Sequence, residues 1–189
     1  MKEQLRQYIQ KTVAITEEEL AIVMSYFHVS KVEKNELLVV QGQVSYRMHF
    51  VCKGCLRFFF TNEDGQEATR YIAFENHFAT ALCSFISGSP SAEYLQALEP
   101  SDVLYINQND FNHLLGIMPV WEKFYRHYLE KAYVNNTNKL MTLLTLNATE
   151  RYKQLLAQNP FIVNRLPNKV VASYLNISQE TLSRLKSKV

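Results

Sequence analysis

Apolar residues recur along this chain with more than one period, and the changes of period divide it. Over residues 1 to 28, Leu5, Ile9 and Val13 return every fourth position, the spacing of one helical face, and Thr16 followed by Glu17, Glu18 and Glu19 predicts the start of a second helix. Both read as short covering helices. From Val32 the period shortens. Leu37 to Val40, Met48 to Cys52, Cys55 to Thr61, Glu67 to Phe74, Tyr94 to Leu98 and Val103 to Ile106 are rich in β-branched and aromatic residues. Gly42, Gly54 and Asn62-Glu63-Asp64-Gly65 punctuate these runs as turns. Short antiparallel strands in such a series predict a compact β-barrel or roll.

After Asn109 the helical spacing returns, broken at Gly116 and Pro119, and a long segment runs from Pro119 to about Leu144. Pro119 suits the first turn of a helix, where its missing N–H leaves no bond unmade. Trp121, Phe124, Tyr125, Tyr128, Leu129 and Ala132 form a stripe at spacings of three and four, resumed by Leu140, Leu143 and Leu144. A helix of this length offers more apolar surface than a small β domain covers. A second copy of the chain is the expected cover, through Trp121, Phe124, Tyr125, Tyr128 and Ala132. The alternative is that the stripe packs only against its own β domain. Asn147-Ala148-Thr149-Glu150 then has the form of a capping box opening a further helix that ends near Asn159-Pro160.

The chain closes on "NKVVASYLNISQETLSRLKSKV". Val170, Val171, Ala172 and Leu175 share one helical face, Leu182 and Leu185 another, with Ile177 between them. Asn176 stands where a tight turn needs a left-handed backbone, which asparagine tolerates well. Ser178 is a good N-cap and Glu180 favours the dipole of the following helix. Together these meet the requirements of a helix-turn-helix, whose second helix enters the DNA major groove, although ordinary helical hairpins share the spacing.

Charge sharpens that choice. The net charge of +2 is unevenly placed: from Arg151 onward seven basic residues face the single acid Glu180, giving +6, while 13 basic and 17 acidic residues before it give −4. A basic terminal segment beside a mildly acidic body points to a polyanion partner for the tail. With 189 residues, 47% of them apolar, the chain can build a real core. No apolar run reaches the roughly 18 residues of a membrane span, the N-terminus lacks the apolar stretch of a secretory signal, and three cysteines make no disulfide framework. A cytoplasmic protein without a membrane partner is expected.

At the tail the sequence resembles the Crp/Fnr family of bacterial transcription regulators. Ser178-Gln179-Glu180-Thr181-Leu182-Ser183-Arg184 matches the family's Ser-x-Glu-Thr-x-x-Arg recognition pattern in full, and "ASYLNISQETLSRLK" looks like the branch with short, wingless C-termini. Asn176 replaces the usual turn glycine. The segment "MHFVCKGCLRFFFTNEDGQEATRYIAFENHF" is similar to the strand, glycine, hairpin and strand core of the family's cyclic-nucleotide-type β-roll. Pro119 to Leu144 occupies the place of its dimerisation helix.

The resemblance implies an α+β protein: an antiparallel β-roll of the double-stranded β-helix type with covering helices over 1–116, a dimerisation helix and hinge over 117–146, and an all-α helix-turn-helix domain over 147–189. It further implies a homodimer on double-stranded DNA, with RNA polymerase as a further partner, and no enzymatic activity. On the recognition helix, Arg184 is expected on a guanine edge, Glu180 on a cytosine amino group and Gln179 on adenine. Ser178, Thr181, Lys169 and Lys186 suit phosphates.

The sensor part departs from the family. Relatives that bind cyclic AMP hold it with a Gly-Glu pair and, about ten residues later, an Arg-Ser or Arg-Thr pair. Here Thr80-Ala81 and Ser91-Ala92 stand in those places, and no arginine lies between Arg70 and Arg126. A phosphodiester needs a cation or a helix N-terminus against its charge, so a response to cyclic AMP or cyclic GMP is not expected. Thr80, Ala81, Ser91 and Ala92 mark the position of any effector pocket. Cys52-Lys53-Gly54-Cys55 with Cys83, His49 and His77 elsewhere makes a weak zinc motif, and the isolated histidines His28, His49, His77, His113 and His127 lack the paired spacing of a metal-dependent barrel enzyme. No cofactor or metal is expected. The alternative function is a ligand-binding or protein-interaction module of cyclic-nucleotide fold whose C-terminal helices do not bind DNA.

Overall fold

The computed structural model describes residues 1–187; Lys188, counted above with the basic tail, and Val189 lie outside the described residues. The chain divides into two units, one of Met1–Phe58 with Ile72–Glu130, the other of Phe59–Tyr71 with Lys131–Val189.

In the first unit the two amphipathic N-terminal runs form α1 (Lys2–Thr12) and α2 (Glu17–Ser25). Thr16 and Glu19 cap α2 reciprocally, each side chain taking the other's backbone N–H. The strands follow as β1 (His28–Val32), β2 (Leu37–Val39), β3 (Arg47–Lys53), β4 (Leu56–Thr61), β5 (Glu67–Ala73), β6 (Phe78–Ala79), β7 (Tyr94–Ala97) and β8 (Ser101–Asn107), with α3 (Leu82–Ser87) between β6 and β7. They form an antiparallel β-roll of two four-stranded sheets, ordered β1-β8-β3-β6 and β2-β7-β4-β5. Six of these strands match the expected segments. No pattern of alternation marks β1, whose HVSKV is largely exposed, nor the two-residue β6 or the six-residue α3.

Alternation along the strands decides what each sheet face meets. Met48, Phe50 and Cys52 on β3 and Leu104 and Ile106 on β8 point to one side, where α1, α2, α4 (Gln108–Ile117) and the start of α5 (Pro119–Thr145) bury Leu5, Ile9, Leu20, Val23, Phe111, Trp121 and Phe124 against them. His49, Val51 and Val103 point to the other side and are also buried. Gly54 turns β3 into β4 with φ +98°, and a Cβ there would lie 2.2 Å from the Ser101 hydroxyl, so the turn admits glycine alone.

The second unit holds the outer part of the β4-β5 hairpin, the later part of α5, and the helices α6 (Ala148–Gln158), α7 (Pro160–Arg165), α8 (Asn168–Leu175) and α9 (Gln179–Lys186). Asn147 and Glu150 form the expected capping box of α6, and Pro160 opens α7, a helix with no forecast in the sequence. Tyr152, Leu155, Ile162, Leu166, Val171, Leu175 and Leu182 are buried as the core of this helical group.

Candidate functional site

The turn between α8 and α9 follows from local chemistry. Asn176 takes the left-handed conformation at φ 53° and ψ 52°, which lets the Ile177 N–H reach the Ala172 carbonyl at 3.0 Å and the Asn176 N–H reach that of Ser173 at 3.2 Å. This pair of bonds closes α8 as a Schellman motif. Two residues on, Ser178 caps α9 by accepting the Thr181 N–H at 3.2 Å. Leu182 and Leu185 face inward, while Gln179, Glu180, Ser183 and Arg184 lie along the exposed face. Four of the residues expected at a base edge or phosphate, Ser178, Gln179, Glu180 and Arg184, are therefore on one surface, with Thr181 half-buried beside them. Hydrogen bonds from its own backbone N–H and from the Ser178 hydroxyl hold the Glu180 carboxyl below the usual carboxylate range. Arg184 extends from the last turn of α9, its Nε near the Glu180 carbonyl at 3.4 Å.

The two lysines assigned to phosphates are differently placed. Lys186 Nζ donates to the Asn168 side chain at 2.6 Å, tying the end of α9 to the first residue of α8. Lys169 Nζ pairs with Glu67 Oε1 at 2.8 Å. Glu67 belongs to the β4-β5 hairpin, where Thr69 Oγ1 also meets Ser173 Oγ at 2.5 Å and Arg70 donates to the Asn136 side chain at 3.1 Å. The hairpin thus grips α8 and α5 within the second unit.

Two further residues of this unit escaped the sequence reading. Arg151, counted there as tail charge, donates to the carbonyls of Leu146, Leu175 and Asn176 at 2.7, 3.0 and 3.4 Å, so it answers the open carbonyls at the end of α8. Lys139 of α5 donates to the Tyr174 carbonyl at 2.6 Å with its ammonium 3.4 Å from that ring's centre. Burial, and then the Arg151 guanidinium, push the Lys139 pKa down to about 8. Arg151 sits in the first turn of α6 and its Leu175 partner lies 24 residues on, while the partner of Lys139 lies 35 residues away, so local pattern marked neither.

In the first unit, Thr80, Ala81 and Ser91 are buried and Ala92 is exposed. The Thr80 hydroxyl donates to the Arg47 carbonyl at 3.0 Å and lies 3.4 Å from the Ser45 hydroxyl. Ser84 Oγ accepts the Ser45 N–H and donates to the Ser89 carbonyl, while Ser91 Oγ donates to the Glu93 carbonyl and accepts the Glu93 N–H. The Ser91 N–H donates to the Gln43 carbonyl. Segment 42–45 therefore brings Thr80 and Ser91 into one hydrogen-bonded patch, made largely with backbone. Arginines of the roll are engaged elsewhere, Arg57 with the Gln96 side chain at 2.9 and 2.7 Å and Arg47 over the Tyr105 ring at 4.5 Å. Cys52 and Cys55 are buried, and burial raises the Cys52 pKa.

One assignment needs correction. Trp121 and Phe124 are 0% and 2% exposed, stacked on each other at 4.7 Å within the chain's own core, so they cannot meet a second copy. Tyr125 packs edge-on against Phe111 and Tyr128 against Phe78, which leaves both half-buried, as is Ala132. The uncovered apolar residues of α5 come later: Tyr133, Val134, Leu140, Met141 and Leu144, with Tyr133 73% and Leu144 72% exposed.

Comparison with known proteins agrees with this architecture. The cyclic nucleotide-binding domain family matches residues 29–117. The cAMP-activated global transcriptional regulator CRP of Pasteurella multocida is 20% identical over 172 residues, covering 86% of this chain and 82% of that protein. Among solved structures, the c-di-GMP responsive global regulator CLP of Xanthomonas campestris superposes with a TM-score of 0.72 at 14% identity, over 92% of this chain and 91% of that one. A transcriptional regulator of the Crp/Fnr family from Eubacterium rectale also reaches 0.72, at 12% identity over 90% and 82% of the two chains. Residues 29–117 thus match the cyclic nucleotide-binding domain family, and the chain has the fold seen in the Crp/Fnr transcription regulators.

Proposed function

We propose that this protein is a dimeric, sequence-specific DNA-binding regulator that does not answer to cyclic AMP. The observation that carries the reading is the exposed row Gln179, Glu180, Ser183 and Arg184 on a helix whose opposite face is buried and whose turn is fixed by Asn176 and Ser178. Such a row presents donors and acceptors at the spacing of base edges in the major groove, and Arg184 carries the fork that pairs with guanine. The second copy is recruited by the later part of α5: Tyr133, Leu140 and Leu144 recur at spacings of seven and four, with Val134 and Met141 seven apart beside them, the seam of a two-stranded coil. Thr80-Ala81 and Ser91-Ala92 stand where the family resemblance expects the glutamate and arginine by which cyclic-AMP binders hold their ligand, and Thr80 and Ser91 already bond to backbone groups.

Selection from random duplexes tests the reading. It should enrich a two-fold related site with half-sites about one helical turn apart, bound more weakly as salt is raised. A Leu140→Asp, Leu144→Asp protein should sediment as a monomer and lose the two-fold site. Enrichment of no motif removes the DNA-binding reading in favour of a protein-interaction module, and a saturable isotherm with cyclic AMP at micromolar affinity removes the statement about the effector.

A further inference from the structure

The hairpin residue Glu67 lies 102 positions from Lys169, yet its carboxylate takes the charge that the start of α8 would present to DNA. Glu67 is well enclosed, at 19% side-chain exposure, while Lys169 is 63% exposed. The hairpin that carries Glu67 is anchored beside α8: Thr69 meets Ser173 on α8, and Arg70 meets Asn136 on α5. Lys169 follows directly on Asn168, the residue that takes Lys186, so the two cations of this end of the helix pair share one small surface. The first helix of such a pair crosses the DNA backbone, and a lysine there is useful in proportion to its freedom to meet a phosphate.

We propose that Glu67 is a built-in competitor for DNA phosphate: it holds Lys169 in the free protein, and DNA engages this end of α8 by exchanging the carboxylate for a backbone phosphate. The hairpin then acts as a brake on affinity that is independent of base sequence. This rests on the DNA-binding reading given above. It explains why an acid is fixed beside a cation that the recognition surface would otherwise use. It also predicts a signature in the salt dependence, because an acid left behind after the exchange takes up cations that offset those released from DNA.

The test is fluorescence anisotropy of the full chain with a mixed-sequence duplex over a range of salt, comparing the unmodified protein with Glu67→Gln. The variant should bind about two- to five-fold tighter, the range set by an exposed ion pair. Its salt slope should steepen by up to about 0.9, one phosphate contact. In a Lys169→Gln background the same Glu67→Gln change should give no gain. Glu67→Asp, which keeps the charge and shortens its reach, should fall between the two, and thermal unfolding confirms that each variant is folded. Tight binding by the unmodified protein with no change in Glu67→Gln, or a gain that persists without Lys169, overturns the brake and leaves DNA binding intact. Absence of binding by every variant at low salt overturns both.

Discussion

The serine-rich stretch after β6 and the outer face of α9 are both short and polar, yet they dispose of their polar groups in opposite ways. Around α3, Ser45, Thr80, Ser84 and Ser91 bond to one another or to nearby carbonyls and N–H groups, and all four side chains are buried. On α9, Gln179, Glu180, Ser183 and Arg184 stand in solvent, and among the described residues the cap and the helix backbone take up some of their hydrogen-bonding capacity. Polar groups turned inward hold a loop in shape; polar groups turned outward in a row are available to a partner.

The largest effect that sharpens this contrast lies inside the roll. His49 is buried, its Nδ1 has no hydrogen-bond partner among the described residues, and burial pushes its pKa down to about 4. In the unfolded chain it takes a proton near pH 6.5. The roll is therefore at full stability above pH 6.5 and loses it as the pH falls through 4, by on the order of 3 kcal/mol. Chemical denaturation of the unmodified protein and of His49→Gln across that window should show the acid loss shrinking in the variant. The C-terminal helices, which contain no histidine after His127, should contribute none of it.

A paired comparison comes next. Ser84→Ala should cost about 1 to 3 kcal/mol of stability, because the buried Ser45 N–H loses its acceptor, while DNA affinity per folded molecule stays unchanged. Arg184→Ala should do the reverse, leaving the thermal midpoint in place while specific binding drops by roughly 1 to 3 kcal/mol and preference relaxes at one base pair per half-site. If Ser84→Ala alters sequence preference, or Arg184→Ala unfolds the protein, inward and outward polar groups are not the distinction drawn here. The smallest effect tests the turn. Asn176→Ala should cost about 1 kcal/mol for its left-handed backbone, and Asn176→Gly should change stability by no more than a few tenths of that.

What could be read in advance was local. Thr16, Asn147, Ser178 and Asn176 announce their roles because cap and turn chemistry depends on residues within four positions, and each adopts the expected geometry. Strands with strong alternation were equally legible. The polar edge strand β1 and the two-residue β6 carry too little pattern to register. The apolar stripe of α5 is legible in the sequence, but its cover is not: of the two covers open to it, its own domain takes Trp121 and Phe124, since spacing tells which residues share a face and not which neighbour meets them. Trp121 and Phe124 found α1, α2 and the sheet instead. Glu67 with Lys169, and Lys139 with Tyr174, were invisible because their partners are distant in the chain. On the sequence alone, Lys169 and Arg151 were simply positive charge.

The outer part of the β4-β5 hairpin and the later part of α5 are grouped with the helix-turn-helix rather than with the roll. A recombinant fragment beginning at Asn147 would therefore arrive without Glu67, Thr69 or Lys139, exposing the Tyr174 ring and releasing Lys169 and Ser173 from their partners. Grafting this tail onto another protein, in the laboratory or by gene fusion, transfers the exposed face of α9 but not the residues that pair with α8. The transferable part of the chain is not a contiguous stretch of its sequence.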